Sequence, residues 1–413
     1  MPLGDVPSYY AATAHKWFAP SADGVDGQED VIVVGGGFTG LSAALACAEK
    51  GYAVTLHEAR TIGFGASGRN GGQLIPGLRW SMRDLEGEFG HDRAKAIFNL
   101  AYGAVDRVKE RIHKHQILCD LKAGHLEAAY KPAHFAALQR ESDYLSLRFG
   151  WQTEIVQPHD LHRHVNGGGY HGALYDPRGG HFHPLNYALG LARAASDAGV
   201  RIIENSPVRL EDLRAKTIIL ATDTWMGELL PELACFTVPI MNYNIATAPL
   251  PDADALLPSD AAVADSRFVL NYFRLSADKR LLFGGGEKYV QRPPADIAAF
   301  VRAHMVKVFP SLSATPIDYA WGGAVGVTLN RLPHFGRRTM GNGQTVYFAH
   351  GFSGHGALVT TLAGELLAEA VAGTMERFDV FAALPQQPFP GGRWLARPLA
   401  TLGLLWYALR DRL

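Results

Sequence analysis

A glycine pattern directly after an apolar run is the feature that most constrains how this 413-residue chain folds. The run DVIVVGGGFTG (30–40) carries glycines with the spacing G-x-G-x-x-G, and the small-residue stretch LSAALACAEKG (41–51) follows it. The next segment, YAVTLHEAR (52–60), is again largely apolar. An unbroken apolar run is typical of a parallel strand buried on both faces. The three segments therefore predict a β-α-β unit of an α/β fold.

The glycine spacing is that of a dinucleotide-binding fingerprint. Gly35 allows a tight turn, Gly37 lets the backbone approach a pyrophosphate, and Gly40 permits close contact between helix and strand. The helix N-terminus attracts the phosphate charge. Glu58 ends the second strand, where a carboxylate can accept hydrogen bonds from adenosine ribose hydroxyls and would repel a 2′-phosphate. The motif does not separate FAD from NAD, and a glycine-rich turn beside a surface glutamate is the alternative.

Two further glycine-rich segments favour an extended cofactor. TIGFGASGRNGGQL (61–74) begins directly after the second strand and can supply a nest of N–H donors. HGFSGHG (350–356) stands between an apolar run and a helical pattern, so it predicts another helix N-terminus. A reduced flavin needs such a dipole beside its ring. A plain turn is the alternative for each segment alone, and the presence of all three segments weighs against it.

The rest of the chain predicts one sheet built from distant segments and a second layer over it. The apolar runs at 216–222 and 344–349 are expected to join the first sheet. Helical and strand patterns fill the intervals. The helices are expected at 92–116 and 132–149, and antiparallel-looking strands at 238–249, 267–276 and 279–287.

Charge and cysteine content exclude several classes of protein. Thirty-nine Lys and Arg against 40 Asp and Glu give a net charge of −1, so we expect no nucleic-acid partner. Three scattered cysteines show no metal or disulfide spacing, and His181 and His183 have no ligand spacing, so we expect no metal and a cytoplasmic location. The apolar stretch 398–409 is too short to span a membrane, which leaves peripheral membrane contact open.

The order of these motifs resembles a known family. GGGFTG, Glu58, IGFGASGRNGGQ, GGHFHPLN, RLLFGGG, NRLPHFGR and GFSGHG follow one another as in the D-amino-acid-oxidase-like superfamily of FAD-dependent oxidoreductases, closest to its gamma-glutamylputrescine oxidase branch. The resemblance implies a Rossmann-like FAD-binding domain interleaved with a mixed-sheet α+β substrate domain. It also implies oxidative deamination of a primary amine, a gamma-glutamyl polyamine, to aldehyde, ammonia and hydrogen peroxide, with dioxygen as the oxidant.

The resemblance also implies the domain bounds and the cofactor contacts. The expected bounds are an N-terminal arm at 1–27, an FAD-binding domain at 28–86, 176–228 and 320–376, a substrate domain at 87–175 and 229–319, and a C-terminal extension at 377–413. Gly323 stands where some relatives carry a flavin-bonded cysteine, so the FAD is expected to be non-covalent. The expected cofactor-binding residues are Gly35, Gly37, Phe38, Thr39, Gly40, Glu58, Ala59, Arg60, Gly65, Ala66, Ser67, Gly68, Asn70, Gly71, Gly72, Gln73, Val208, Ala221, Thr222, Trp225, Gly323, Gly351, Phe352, Ser353, Gly354, His355 and Gly356.

Six residues are candidates for contact with the substrate. Arg69 and Asn70 come from the flavin loop and His350 and His355 from the C-terminal loop, although for each histidine a bond to a backbone carbonyl is an equal alternative. Tyr272 and Arg274 share one strand face by period two. Tyr272 could line the path of the amine and Arg274 could bind a substrate carboxylate, whereas an outward-facing pair is the alternative.

Other functions remain open at this stage. The same cofactor would serve an oxidase or dehydrogenase of D- or N-methyl amino acids, with an arginine holding the α-carboxylate. The apolar C-terminal stretch would suit a dehydrogenase that passes electrons to a quinone. A flavoprotein without catalytic activity is the remaining alternative, and the oligomeric state is left open.

Overall fold

The computed structural model describes residues 8–17, 29–288 and 294–392. The stretch 398–409, for which membrane contact was considered, lies outside the described residues. Within the described part, no helix combines the length and apolar character needed to cross a membrane.

The helices lie mostly at the positions that the sequence predicts. They are α1 (Tyr9–Thr13), α2 (Phe38–Glu49), α3 (Met82–Phe89), α4 (His91–Lys114), α5 (Pro132–Phe149), α6 (Pro184–Asp197), α7 (Met226–Leu229), α8 (Ala253–Leu256), α9 (Ile297–Val308), α10 (Gly356–Val371) and α11 (Glu376–Ala382). The predicted helices at 92–116 and 132–149 are thus confirmed as α4 and α5.

The strands fall into two sheets. They are β1 (Val31–Val34), β2 (Val54–His57), β3 (Gln73–Leu74), β4 (Lys122–Ala128), β5 (Glu154–Val156), β6 (Ala173–His181), β7 (Arg201–Ile203), β8 (Thr217–Leu220), β9 (Thr237–Thr247), β10 (Ala262–Asp265), β11 (Tyr272–Leu275), β12 (Leu281–Lys288), β13 (Ile317–Thr328), β14 (His334–Thr339) and β15 (Thr345–His350). Those at β9, β11 and β12 confirm the predicted strands of the second layer.

The smaller sheet has the strand order β14-β15-β8-β1-β2-β7. Strand β1 pairs in parallel with β2 and β8, and β8 pairs in parallel with β15. This arrangement confirms that the distant segments 216–222 and 344–349 join the first sheet. Just after the C-terminus of α2, Gly51 has φ +88°, the left-handed conformation expected there.

Helices cover the smaller sheet because their apolar residues share its core. Helix α10 packs on α2 so closely that a Cβ at Gly364 would lie 2.5 Å from the Ala43 nitrogen. Helix α4 also packs on α10. The expected substrate segment 87–175 therefore contributes α4 to the core around the smaller sheet, which differs from the sequence-based division.

The larger sheet has the order β13-β9-β12-β11-β10-β4-β6-β3, with β5 paired to β6. Strand β13 pairs with β9 from Ile317 to Thr328. The boundary expected at residue 320 therefore falls inside a strand of the larger sheet. The boundary expected at residue 176 likewise falls inside β6.

Candidate functional site

One cavity of about 760 Å³ brings the three glycine-rich segments together. It lies outside the carboxyl ends of β1, β8 and β15 and is walled by one face of the larger sheet. Ligands of open α/β sheets bind at this edge. The expected cofactor residues that line it are Gly37, Phe38, Thr39, Ala66, Ser67, Asn70, Gly71, Gln73, Ala221, Phe352, Ser353, Gly354, His355 and Gly356.

The first glycine segment folds as its spacing predicts. Gly35 has φ +112°, and a Cβ there would lie 2.6 Å from the Ala221 carbonyl oxygen. A Cβ at Gly40 would lie only 1.9 Å from the Gly35 carbonyl oxygen. Gly37 precedes α2 and supplies no side-chain cap, so the helix N-terminus presents its backbone donors and dipole to the cavity.

Glu58 holds the turn at the end of β1. Its Oε2 accepts a hydrogen bond from Gly36 N–H at 2.6 Å and its Oε1 accepts one from Arg60 N–H at 2.8 Å. Burial raises the pKa of Glu58 above its ordinary range, and the two backbone donors oppose that rise. Glu58 lies beside the cavity rather than in its wall.

The second glycine segment is a tight loop held by Asn70. The Asn70 amide donates to the carbonyl oxygens of Ala66 and Ser67 at 2.9 and 3.0 Å, and its Oδ1 accepts from Gly72 N–H at 2.7 Å. The Ser67 hydroxyl accepts a hydrogen bond from Phe38 N–H at 3.0 Å. Because these bonds tie the loop to the start of α2, the two segments form one continuous cradle.

Asp223 joins the third segment to the larger sheet. Its carboxylate accepts hydrogen bonds from Gly351 N–H at 2.8 Å and Gly326 N–H at 3.1 Å. Burial raises the pKa of Asp223, and the backbone donors oppose that rise. The residue therefore fixes the loop before α10 against β13.

His355 and Tyr272, two of the six candidates for substrate contact, line the cavity together with Asn70. Burial, with the charge of Arg79 as the next cause, lowers the pKa of His355 to about 3, so its imidazole is neutral at pH 7. The Tyr272 hydroxyl donates a hydrogen bond to Asn242 Oδ1. A Cβ on Gly71 would lie 2.5 Å from the Tyr272 ring, so this ring packs directly on the glycine loop.

The expectation that Arg274 binds a substrate carboxylate is wrong. Its side chain is buried, lies outside the cavity and donates to the carbonyl oxygens of Gly71 and Phe182 at 2.8 and 2.9 Å and to the Tyr10 hydroxyl at 3.1 Å. It also donates to the carbonyl oxygen of Leu275 at 3.1 Å. Four of the five guanidinium N–H donors are thus engaged by the protein itself, so Arg274 fixes the glycine loop on β11.

His350 and Arg69 also differ from expectation, because neither lines the cavity. His350 is fully buried, and its Nε2 lies 3.0 Å from His334 Nδ1. Arg69 donates to the Phe64 carbonyl oxygen at 3.1 Å and to that of Gly322 at 3.4 Å. Both side chains are therefore oriented by protein contacts behind the cavity wall.

The remaining expected cofactor residues do not line the cavity. Val208 packs into the core beneath the smaller sheet. A Cβ at Gly323 would lie 3.2 Å from the Arg69 Cβ, so this position faces Arg69 rather than the cavity. The residues outside the wall are Gly35, Gly40, Glu58, Ala59, Arg60, Gly65, Gly68, Gly72, Val208, Thr222, Trp225, Gly323 and Gly351.

Sequence reasoning missed a charged region of the same cavity. His125 and Glu127 alternate along β4, and Arg79 follows the second glycine segment. Burial lowers the pKa of His125 to about 4, so this imidazole is also neutral at pH 7. The signal that could have revealed them is the period of two in GHLEA, which places both polar side chains on one face of a strand.

The cavity fits an extended dinucleotide. Its wall includes the N-terminus of α2 and that of α10, and neither helix has a side-chain cap. A Cβ at Gly37 would lie 2.9 Å from the Ser67 hydroxyl, so the glycine lets the second segment approach the start of α2 closely. Two such helix ends in one cavity suit a cofactor with phosphates and an electron-rich ring.

Comparison with known proteins agrees with this geometry. Residues 30–370 match the family model described as FAD dependent oxidoreductase (DAO). The chain is 40% identical to the gamma-glutamylputrescine oxidoreductase of Escherichia coli K12, and the alignment covers 98% of each chain. It is 38% identical to the probable oxidoreductase OrdL of Haemophilus influenzae, with 98% of this chain and 97% of the relative covered.

Solved structures share the fold. L-Proline dehydrogenase from P. horikoshii superposes with a TM-score of 0.70 at 21% identity, covering 84% of this chain and 94% of that one. Glycine oxidase from Geobacillus kaustophilus gives a TM-score of 0.68 at 22% identity, covering 84% and 95%. The predicted α/β fold with mixed sheets and the predicted FAD cofactor are confirmed. The chain therefore belongs to the DAO family of FAD-dependent oxidoreductases.

Proposed function

We propose that this protein is an FAD-dependent amine oxidase whose substrate is gamma-glutamylputrescine or a similar gamma-glutamyl polyamine. The observation that carries the proposal is that the cavity lined by all three glycine-rich segments continues into a charged region containing Arg79 and Glu127. A small apolar amine would make no ionic interaction with these two side chains. The near full-length likeness to a gamma-glutamylputrescine oxidoreductase supports the same substrate class.

The cofactor is assigned to the residues of the cradle. The N-terminus of α2 and the Ser67 loop would hold the pyrophosphate, and Glu58 would accept hydrogen bonds from the adenosine ribose. The loop before α10 would lie against the flavin ring. FAD held there without a covalent link would accept the hydride, and with it the two electrons, that the amine loses on oxidation.

The protein's own task is to position an uncharged amine and exclude water. His125 and His355 are neutral at pH 7, because burial lowers their pKa values to about 4 and about 3. These two imidazoles therefore add no positive charge to the cavity wall. Tyr272, held by its hydrogen bond to Asn242, gives the amine a rigid aromatic wall beside the glycine loop.

The overall reaction uses dioxygen and water. The CH₂–NH₂ group loses two electrons and two protons to form an imine, and water hydrolyses the imine to an aldehyde and ammonia. Dioxygen takes up the electrons and protons as hydrogen peroxide. We place the reaction in the cytoplasm.

Steady-state turnover of a substrate panel tests the proposal. The purified holoenzyme is supplied with gamma-glutamylputrescine, putrescine, D-alanine and sarcosine while oxygen uptake, peroxide and aldehyde are measured. We expect gamma-glutamylputrescine to be oxidised with the highest kcat/KM and with one peroxide per aldehyde. Oxidation of D-alanine or sarcosine without oxidation of gamma-glutamylputrescine would reject the proposal.

The alternative function is oxidation or dehydrogenation of D- or N-methyl amino acids. This function would use the same cofactor, but Arg274 is not available to bind the α-carboxylate of the substrate. Its guanidinium donates to backbone carbonyls outside the cavity. An α-carboxylate would then have to be held by an arginine of the cavity wall, which offers Arg79, Arg83, Arg140 and Arg331. The same substrate panel separates the two functions.

A further inference from the structure

Glu127 occupies a defined place on the cavity wall relative to Tyr272. On the larger sheet Glu127 pairs with Ala264, and Ala264 pairs with Tyr272. Paired residues of neighbouring strands share a face, and all three residues line the cavity. Two strand spacings place the backbones of Glu127 and Tyr272 roughly 10 Å apart.

Glu127 differs from the other carboxylates of the cavity wall. Within the described residues, each of the others accepts a hydrogen bond: Asp84, Glu141, Asp176, Asp223 and Asp265. Glu127 has neither a hydrogen bond nor a salt bridge to any described residue, yet its side chain is exposed within the cavity. A carboxylate that is open to the cavity and has no partner in the described part of the chain is available to bind a cationic group of a ligand.

Arg79 is the complementary group. It lines the same cavity and has no hydrogen-bond or salt-bridge partner in the described part of the chain. Burial raises the pKa of Glu127, and the charge of Arg79 opposes that rise. Both side chains line the one cavity and form no salt bridge with each other, so each is available to a ligand bound there.

Charge complementarity identifies what fits this space. A lone ammonium at Glu127 would also meet the positive charge of Arg79, whereas an α-amino acid carries an ammonium and a carboxylate on one carbon. On the proposed function, such a group is available as the glutamyl end of the substrate. About eight bonds join its α-carbon to the carbon that bears the primary amine, or roughly 10 Å at ~1.2 Å per bond.

We infer that Glu127 and Arg79 form a recognition site for the α-amino-acid end of the gamma-glutamyl group, with Glu127 binding the ammonium and Arg79 the carboxylate. The inference rests on the proposed function. When the glutamyl end is bound at Glu127, the spacing between Glu127 and Tyr272 matches the length of the substrate. The terminal primary amine then lies at the glycine loop. These two residues are specificity determinants and take no part in the redox step.

Substrate analogues test each charge separately. Glutarylputrescine lacks the α-ammonium and 4-aminobutanoylputrescine lacks the α-carboxylate. For the wild-type holoenzyme we expect kcat/KM to fall roughly 10- to 100-fold with either analogue. Glu127→Gln should abolish the preference for gamma-glutamylputrescine over glutarylputrescine, and Arg79→Gln should abolish the preference over 4-aminobutanoylputrescine. Glu88→Gln, which removes an exposed carboxylate from α3, should leave both preferences intact.

Calorimetric binding of gamma-glutamylbutylamide, which lacks the terminal amine, gives a readout independent of turnover. We expect its Kd to rise at least 10-fold in Glu127→Gln and in Arg79→Gln. Equal losses for all three substrates in Glu127→Gln would overturn the inference, because Glu127 would then act on the reacting amine. If the wild type binds the butylamide but does not oxidise gamma-glutamylputrescine, the proposed function fails while the recognition site stands.

Discussion

Glu58 accepts a hydrogen bond from Gly36 N–H at 2.6 Å, which joins the end of β2 to the glycine turn after β1. Its other oxygen accepts from Arg60 N–H at 2.8 Å. Each carboxylate oxygen keeps a second lone pair for a ribose hydroxyl. The residue therefore shapes the turn and, on the proposed assignment, contacts the cofactor.

Glu58→Gln should weaken FAD binding. An amide has only one oxygen, so its NH₂ group would face the N–H of Gly36 or Arg60. We expect the Kd for FAD, measured by the quenching of flavin fluorescence, to rise by about 10- to 100-fold. The matched control is Glu204→Gln, because Glu204 accepts a single backbone bond, from Ile62 N–H at 2.6 Å, and the glutamine oxygen can replace it. Equal FAD affinity in both variants would show that the Glu58 carboxylate does not contribute to FAD binding.

Gly40→Ala should destabilise the folded protein severely. The new Cβ would lie 1.9 Å from the Gly35 carbonyl oxygen, and neither backbone can move without separating α2 from β1. We expect the free energy of unfolding to fall by more than about 3 kcal/mol. Gly87→Ala on α3 is the control: no atom lies within 4 Å of its new Cβ, so it should stabilise the helix by roughly 0.5–1 kcal/mol. Similar thermal unfolding of the two variants would contradict the close packing.

Arg274→Met should lower stability rather than change substrate choice. It removes the donors to the carbonyl oxygens of Gly71 and Phe182 and leaves those acceptors buried. We expect a loss of about 3 kcal/mol in unfolding free energy, with the kcat/KM ratio between carboxylate-bearing and carboxylate-free amines unchanged. A variant of normal stability that selectively loses carboxylate-bearing substrates would restore the carboxylate-binding role.

His183→Asn should reduce the acid sensitivity of the fold. Burial lowers the pKa of His183 to about 3, against ~6.5 in the unfolded chain. As the pH falls below ~6.5, only the unfolded state takes up this proton. The contribution of His183 to the unfolding free energy is therefore fully present above that pH and is lost as the pH decreases toward 3. Asparagine keeps a cap for the Asn186 N–H, which His183 Nδ1 now accepts at 3.1 Å.

Urea unfolding with saturating FAD between pH 6 and pH 4.5 measures the difference. The slope of unfolding free energy against pH should be smaller in His183→Asn by up to about 1.4 kcal/mol per pH unit. The exposed His162, replaced by Asn, controls for the loss of an imidazole. Identical slopes in His183→Asn and the wild type would show that the pKa of His183 is the same in the folded and the unfolded state.

The parts of the fold that the sequence predicts are those encoded by local patterns. The β1-α2-β2 unit, α4 and α5 each follow from a continuous periodicity and a glycine boundary. The placement of β13 in the larger sheet does not follow from a local pattern. Its pairing with β9 depends on the register between segments about eighty residues apart. A run such as WGGAVGVT fits either sheet equally well.

Side-chain roles divide in the same way. Glu58 and the glycines are predictable because the backbone geometry they require is local. The burial of Arg274 is not, because its acceptors come from Gly71, Phe182 and Tyr10, which are far away in sequence. The charged region around Glu127 was missed since a strand pattern places two polar residues on one face but does not show what that face meets.

The proposed function is best tested by mixing the holoenzyme anaerobically with gamma-glutamylputrescine and then admitting air. We expect rapid loss of the flavin absorbance, and then its full recovery with one hydrogen peroxide per substrate oxidised. Flavin that keeps its colour with gamma-glutamylputrescine but is bleached by D-alanine or sarcosine would contradict the proposed function.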